Sequence, residues 1–73
     1  MTKEELADFD GREGRKAYVA VNGKVFDLST SSYWTGGSHL QEHQAGGDLT
    51  AALARAPHVR SVIERFPVVA ELE

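Results

Sequence analysis

Three histidines fall within twenty residues of a chain that has no cysteine. His39 and His43 stand four residues apart in Ser38-His39-Leu40-Gln41-Glu42-His43, and His58 follows fifteen residues later, directly after Pro57. Imidazole is the commonest protein ligand for transition metals and titrates near neutral pH. Without cysteine there are no disulfides, thiolate metal sites, iron–sulfur clusters or cysteine nucleophiles. A small domain that places all its histidines in one stretch points to a shared task for them.

Three chemistries fit that stretch. His39-Leu40-Gln41-Glu42-His43 matches the H-x-x-E-H string of the inverted zinc peptidases, with two imidazoles on one helix face and Glu42 as base. A catalytic zinc also needs a third ligand, an open coordination position and a substrate cleft, and so short a chain has little room for the cleft. The plainest alternative makes the histidines surface residues or helix caps. The third is a haem pocket. Axial imidazoles on opposite faces of a porphyrin must come from two different elements, here the 38–44 segment and the 57–58 junction. The apolar faces of the cofactor would then complete a core that the chain cannot build alone.

The elements that must position these residues follow from pattern. Thr2-Lys3-Glu4-Glu5 is a capping box opening a short helix with Leu6 and Phe9. Residues 17–21 and 24–28 are strands joined by Asn22-Gly23, a pair that tolerates positive φ in a tight hairpin. The hydroxyl run over 29–32 suits turns and caps. The spacing predicts a short helix over 38–44, stopped by Gly46-Gly47. A second is expected over 49–55, with Asp48 as its cap. After a break at Pro57, a third covers 58–65 and carries Val59, Val62, Ile63 and Phe66 at helical spacing. Residues 67–72 read as a terminal strand. The expected architecture is α+β: a small mixed sheet with two short helical pairs, in one domain spanning residues 1–73.

A net charge of −3 argues against nucleic acid as the main partner, since phosphate binding wants a basic face. Glu42, Glu64 and Glu71 offer an acidic docking rim, although solvated charge is the plainer role for each. The N-terminal residues lack the basic and apolar regions of a signal peptide. No apolar run approaches the roughly 20 residues of a membrane span. A cytoplasmic monomer is expected.

Taken in order, the motifs resemble the cytochrome b5-like haem/steroid-binding family along nearly the whole chain. Residues 17–28 are similar to its strand–turn–strand element with K-V-Y/F-D-V/L. Gly36-Gly37 is similar to the end of its H-P-G-G motif, and Ala45-Gly46-Gly47-Asp48-Leu49-Thr50 to its A-G-x-D-A-T motif. His58 stands at the spacing of its second haem histidine, and Val68-Val69 has a counterpart in its terminal strand.

The resemblance implies a cytochrome b5-like fold with a haem crevice between helical pairs, and one non-covalent haem b. Covalent attachment is excluded for want of Cys-x-x-Cys-His. His58 carries over as an axial ligand. The other family ligand does not, because the ungapped spacing from Gly36 to His58 places Trp34 where H-P-G-G has its histidine and Thr35 where it has proline. His39, nearer the Gly-Gly hinge, is the leading substitute and His43 the alternative; the one that does not ligate can serve as a hydrogen-bonding neighbour. Trp34, Leu40, Leu49, Leu53, Val59, Val62 and Phe66 are candidate pocket walls, each equally at home as plain core. Asp48 and Thr50 suit a helix cap better than cofactor contact. The implied function is one-electron transfer with a redox partner protein, not enzymatic turnover. The alternative is a receptor-like haem/steroid or small-ligand module with five-coordinate or no haem, in which Tyr33 would be the iron ligand.

Overall fold

Both central residues of the Asn22-Gly23 turn adopt the left-handed conformation, with φ of 52° and 81°. A two-residue hairpin turn that matches strand twist requires this, and Asn-Gly supplies it at low strain. The computed structural model describes residues 1–30, 38–39 and 43–73, with the backbone alone at Ser38, His39, His43 and Gln44. The turn joins β1 (Tyr18–Val21) to β2 (Lys24–Asp27), registering Val19 with Phe26 and Ala20 with Val25.

Residues alternate between the faces of a strand, and this hairpin uses both faces. Val19, Val21, Phe26 and Leu28 join Ala45, Leu53 and Ile63 in the larger apolar cluster, with Leu49, Ala56, Val59 and Phe66 packed against it. Ala20 and Val25 face the other way and meet Leu6, with Met1, Tyr18, Ala70 and Leu72 around them. The second cluster is closed by helix α1 (Lys3–Ala7). Its capping box forms as expected: the Thr2 amide donates to Glu5 Oε1 at 2.9 Å and the Glu5 amide to Thr2 Oγ1 at 3.1 Å. Beyond α1, Phe9 stacks on Tyr18 with ring centroids 4.4 Å apart.

The helices after the hairpin are shorter than their apolar spacing predicts. α2 is Thr50–Leu53 and α3 is Pro57–Ile63. Pro57 acts at the junction between them. It drives Ala56 out of the helical region, to φ −135° and ψ 64°, which keeps α2 from running on into α3. It then opens α3 itself instead of lying in a break before it, since its missing N–H costs nothing in the first helical turn. The α3 helix tapers into a turn in which the Phe66 amide donates to the Ile63 carbonyl.

The expected helix over 38–44 is not what the backbone forms. β3 (Ser38–His39) and β4 (His43–Gln44) pair antiparallel, with residues 40–42 outside the described set. With Leu40 as its one apolar residue, the 38–44 segment has no apolar face by which packing could hold a helix. One helical pair, α2 and α3, is therefore seen among the described residues where two were expected.

The last strand, β5 (Val68–Glu71), pairs antiparallel with β2 and carries a bulge between the partners of Val25 and Phe26. It is an edge strand, and Val68 and Val69 are half exposed. The bulge and the Met1 ammonium, which donates to the Glu71 carbonyl at 2.9 Å, blunt that edge against further pairing.

Gly46 holds the tightest backbone position. Its φ is 94°, and a Cβ there would lie 3.3 Å from the Ala7 carbonyl oxygen and 3.4 Å from the Asp10 side chain. Gly47 next to it has open space and no positive φ. Gly46→Ala should therefore lower unfolding free energy by about 1–3 kcal/mol, while Gly47→Ala should stay within about 0.5 kcal/mol of wild type. Urea denaturation of the pair checks both.

Candidate functional site

His58 is the second residue of α3, and its side chain is exposed. Among the described residues it has no hydrogen-bond or ion-pair partner, so both imidazole nitrogens are available to a ligand. Val62, one helical turn on, shares its flank of α3 and is half buried. Val59 packs on the larger cluster together with Leu49 and Phe66. Leu53 is wholly buried inside that cluster, so it supports the α2–α3 pair from beneath. Trp34, Tyr33, Leu40 and Glu42 lie outside the described residues. Glu64 caps the end of α3 and Glu71 closes β5, both exposed.

His39 and His43 are Cα partners in the β3–β4 ladder. Directly opposed residues of an antiparallel pair are separated by about 4.5–5.5 Å at Cα. The two therefore remain neighbours, but by cross-strand pairing and not by one helical turn. A zinc site resting on H-x-x-E-H along one helix face loses its backbone basis. Among the described residues no three histidines, cysteines or carboxylates gather as a metal site.

The chain from β4 to α3 is tied to the free edge of β1. The Gly46 amide donates to the Tyr18 carbonyl at 2.7 Å, the Ala20 amide to the Gly47 carbonyl at 3.1 Å, and the Leu49 amide to the Ala20 carbonyl at 2.8 Å. Ala20 and Asp48 form an isolated parallel bridge there, while the three-stranded sheet itself, in the order β1-β2-β5, is antiparallel where a mixed one was expected. Ala45 is buried with Leu53 and Ile63. His43 lies two residues before Ala45, hence within about 7 Å of it at Cα. His58 adjoins Val59, which packs on the same cluster. The histidine hairpin and α3 thus border one apolar cluster from two separate elements.

Asp48 is not the cap of α2: the N-cap is Leu49, which has no side-chain cap bond, and Asp48 stands one residue before it. Its Oδ1 accepts from the Thr50 amide at 3.0 Å and from the Thr50 hydroxyl at 2.6 Å. Thr50 Oγ1 in turn accepts from the Asn22 amide at 2.8 Å. That link from the β1–β2 turn to α2 was not foreseen; its only trace in the sequence is the pairing of Asp48 and Thr50 in one short motif. The Thr50 hydroxyl, and then its amide, hold the Asp48 carboxyl below its usual 3.8.

The chain matches the model of the cytochrome b5-like haem/steroid-binding domain over residues 2–73. It belongs to that family. Two solved structures are similar throughout. A cytochrome b5 domain protein of Hadesarchaea YNP_N21 is 52% identical, with a TM-score of 0.93 over 100% of this chain and 96% of the other. One of Methanococcoides burtonii is 46% identical, with a TM-score of 0.93 over 100% of this chain and 95% of the other. No curated protein sequence matches. The family's fold is the one expected from the order of the motifs. Among the described residues, no helix is long and apolar enough to cross a membrane.

A carboxyl whose folded value is lowered contributes stability that is complete above its unfolded value and is lost as pH falls through the folded one. Asp48→Ala should accordingly destabilise the domain at pH 7 by about 1 kcal/mol, as removal of a helix-start acceptor does. The gap from wild type should narrow as pH drops below 3.8. Urea midpoints measured across that range test the sign.

Proposed function

We propose that this single domain, residues 1–73, binds one non-covalent haem b between the histidine hairpin and α3 and carries single electrons. His58 would hold the iron from α3, and His39 or His43 would hold it from the hairpin. The observation that carries this is the pairing of an exposed imidazole on α3, unpartnered among the described residues, with two histidines on a hairpin that borders the same apolar cluster. Iron between two planar nitrogen ligands requires donors from two elements, and the chain supplies them. Val59 and Val62 beside His58 offer apolar wall, as do Leu49 and Phe66 on the cluster. These residues fit the group in donor chemistry and in apolar surroundings.

Held by two imidazoles, haem iron supplies a one-electron ferric–ferrous couple with no open position for oxygen. The protein's own part is to fix both imidazoles, keep water from the macrocycle with aliphatic side chains, and present an edge to a redox partner protein. With no cysteine in the chain, attachment rests on these ligands and on apolar contact alone. It is a carrier, not an enzyme.

Trp34, at the family's first-ligand position, favours a second reading: a receptor-like module with five-coordinate or no haem, and Tyr33 on the iron.

An absorption spectrum of the protein with added hemin, before and after dithionite, separates the two. Sharp reduced α and β bands are the expected result; a broad high-spin spectrum supports the receptor-like module, and no Soret shift sinks haem binding. His58→Ala should abolish the sharp bands. Of His39→Ala and His43→Ala, one should abolish them. The other should keep them with haem affinity lowered by up to about 10-fold, as loss of a neighbouring hydrogen-bonding group does.

A further inference from the structure

We propose that Thr50 is a positioning residue that sets the histidine hairpin against α3, a role that rests on the haem-binding reading. Its hydroxyl accepts from the Asn22 amide at 2.8 Å and donates to Asp48 Oδ1 at 2.6 Å. It is thereby tied at once to the β1–β2 turn, to the segment along the β1 edge and, as the first residue of α2, to the helical pair. At the other end of the segment the Gly46 amide is fixed to Tyr18, and Ala20 holds the middle through both its amide and its carbonyl. The segment therefore has one register along β1.

Only Gln44 and Ala45 lie between His43 and Gly46, and Ala45 is buried. Little chain remains to absorb a shift of the clamp. Downstream, Leu53 is locked in the core and α3 follows after three residues. Thr50 is the side chain at which the hairpin's anchorage and the helical pair meet. Valine at this position keeps the branched shape but can neither accept from Asn22 nor donate to Asp48, whereas serine keeps both bonds.

The test has two arms. In the haem-free protein, Thr50→Val should shift the backbone amide resonances of His43 to Ala45 and speed their hydrogen exchange, while amides of β2 and β5 keep theirs. Thr50→Ser should restore the wild-type pattern. Asp48→Ala, which cuts one of the hydroxyl's two bonds, should shift the same amides less. Changes confined to Asn22, Asp48 and Thr50 would overturn the proposal.

In the hemin-loaded protein, haem loss to apomyoglobin should be about 10–100-fold faster for Thr50→Val. The comparator is Leu72→Ala, which thins the other apolar cluster. If Thr50→Val loses haem no faster than that variant does at equal destabilisation, Thr50 is structural only. If the wild-type protein takes up no hemin, the haem reading fails by itself, and the amide arm still decides the role of Thr50.

Discussion

Everything in this domain is referred to β1. The strand is hydrogen-bonded along both edges, to β2 on one side and to the Gly46–Leu49 segment on the other. It is also covered on both faces, with Val19 and Ala20 wholly buried. A chain of 73 residues cannot build a deep core, and a strand enclosed in this way is how it makes two shallow clusters act as one unit. The constraint is strict because every amide and carbonyl of a buried strand needs a partner. The segment on the second edge thus satisfies a requirement of the fold before it does anything for a ligand.

That requirement explains the composition of Ala45-Gly46-Gly47-Asp48-Leu49-Thr50. Ala45 is small enough to be buried beside Leu53 and Ile63. Gly46 passes within contact of α1 at positive φ, where a side chain has no room. Asp48 and Thr50 then turn the chain into α2 without leaving its first amide unsatisfied. None of these roles needs a cofactor.

The sequence disclosed elements whose signals are local. Asn22-Gly23 dictated its turn by backbone conformation alone, and Thr2 with Glu5 dictated a cap through side chains three residues apart. Periodicity found α2 and α3 but overran their ends, because the restriction at Ala56 that separates them is invisible to apolar spacing. The 38–44 segment misled in the opposite direction. His39 and His43 at helical spacing suggest a helix, yet the segment lacks the apolar face that would hold one, and its described ends, Ser38–His39 and His43–Gln44, pair across a short ladder instead. The Asn22–Thr50 bond was illegible for a further reason: it joins residues 28 apart in sequence through a backbone donor. Of the proposed site, His58 is singled out by its spacing from Gly36-Gly37.

The family likeness therefore divides into two kinds of residue. Those that hold the backbone to β1, Gly46 and Thr50 among them, stand where the motif resemblance expects them and make contacts inside the fold. The first-ligand position is not kept, since Trp34 stands where the resemblance expects histidine. Nothing in the β1 anchorage depends on that histidine, so its loss leaves the platform intact. A nearby imidazole can replace it only if the chain holds that imidazole in a fixed relation to His58. The β3–β4 ladder runs through Ala45 into the clamp on β1, tying His43 to that strand through Gln44 and Ala45, and His39 through cross-strand pairing with His43. On the proposed haem reading, a second ligand calls less for a particular sequence position than for a tether to β1, which the described backbone supplies.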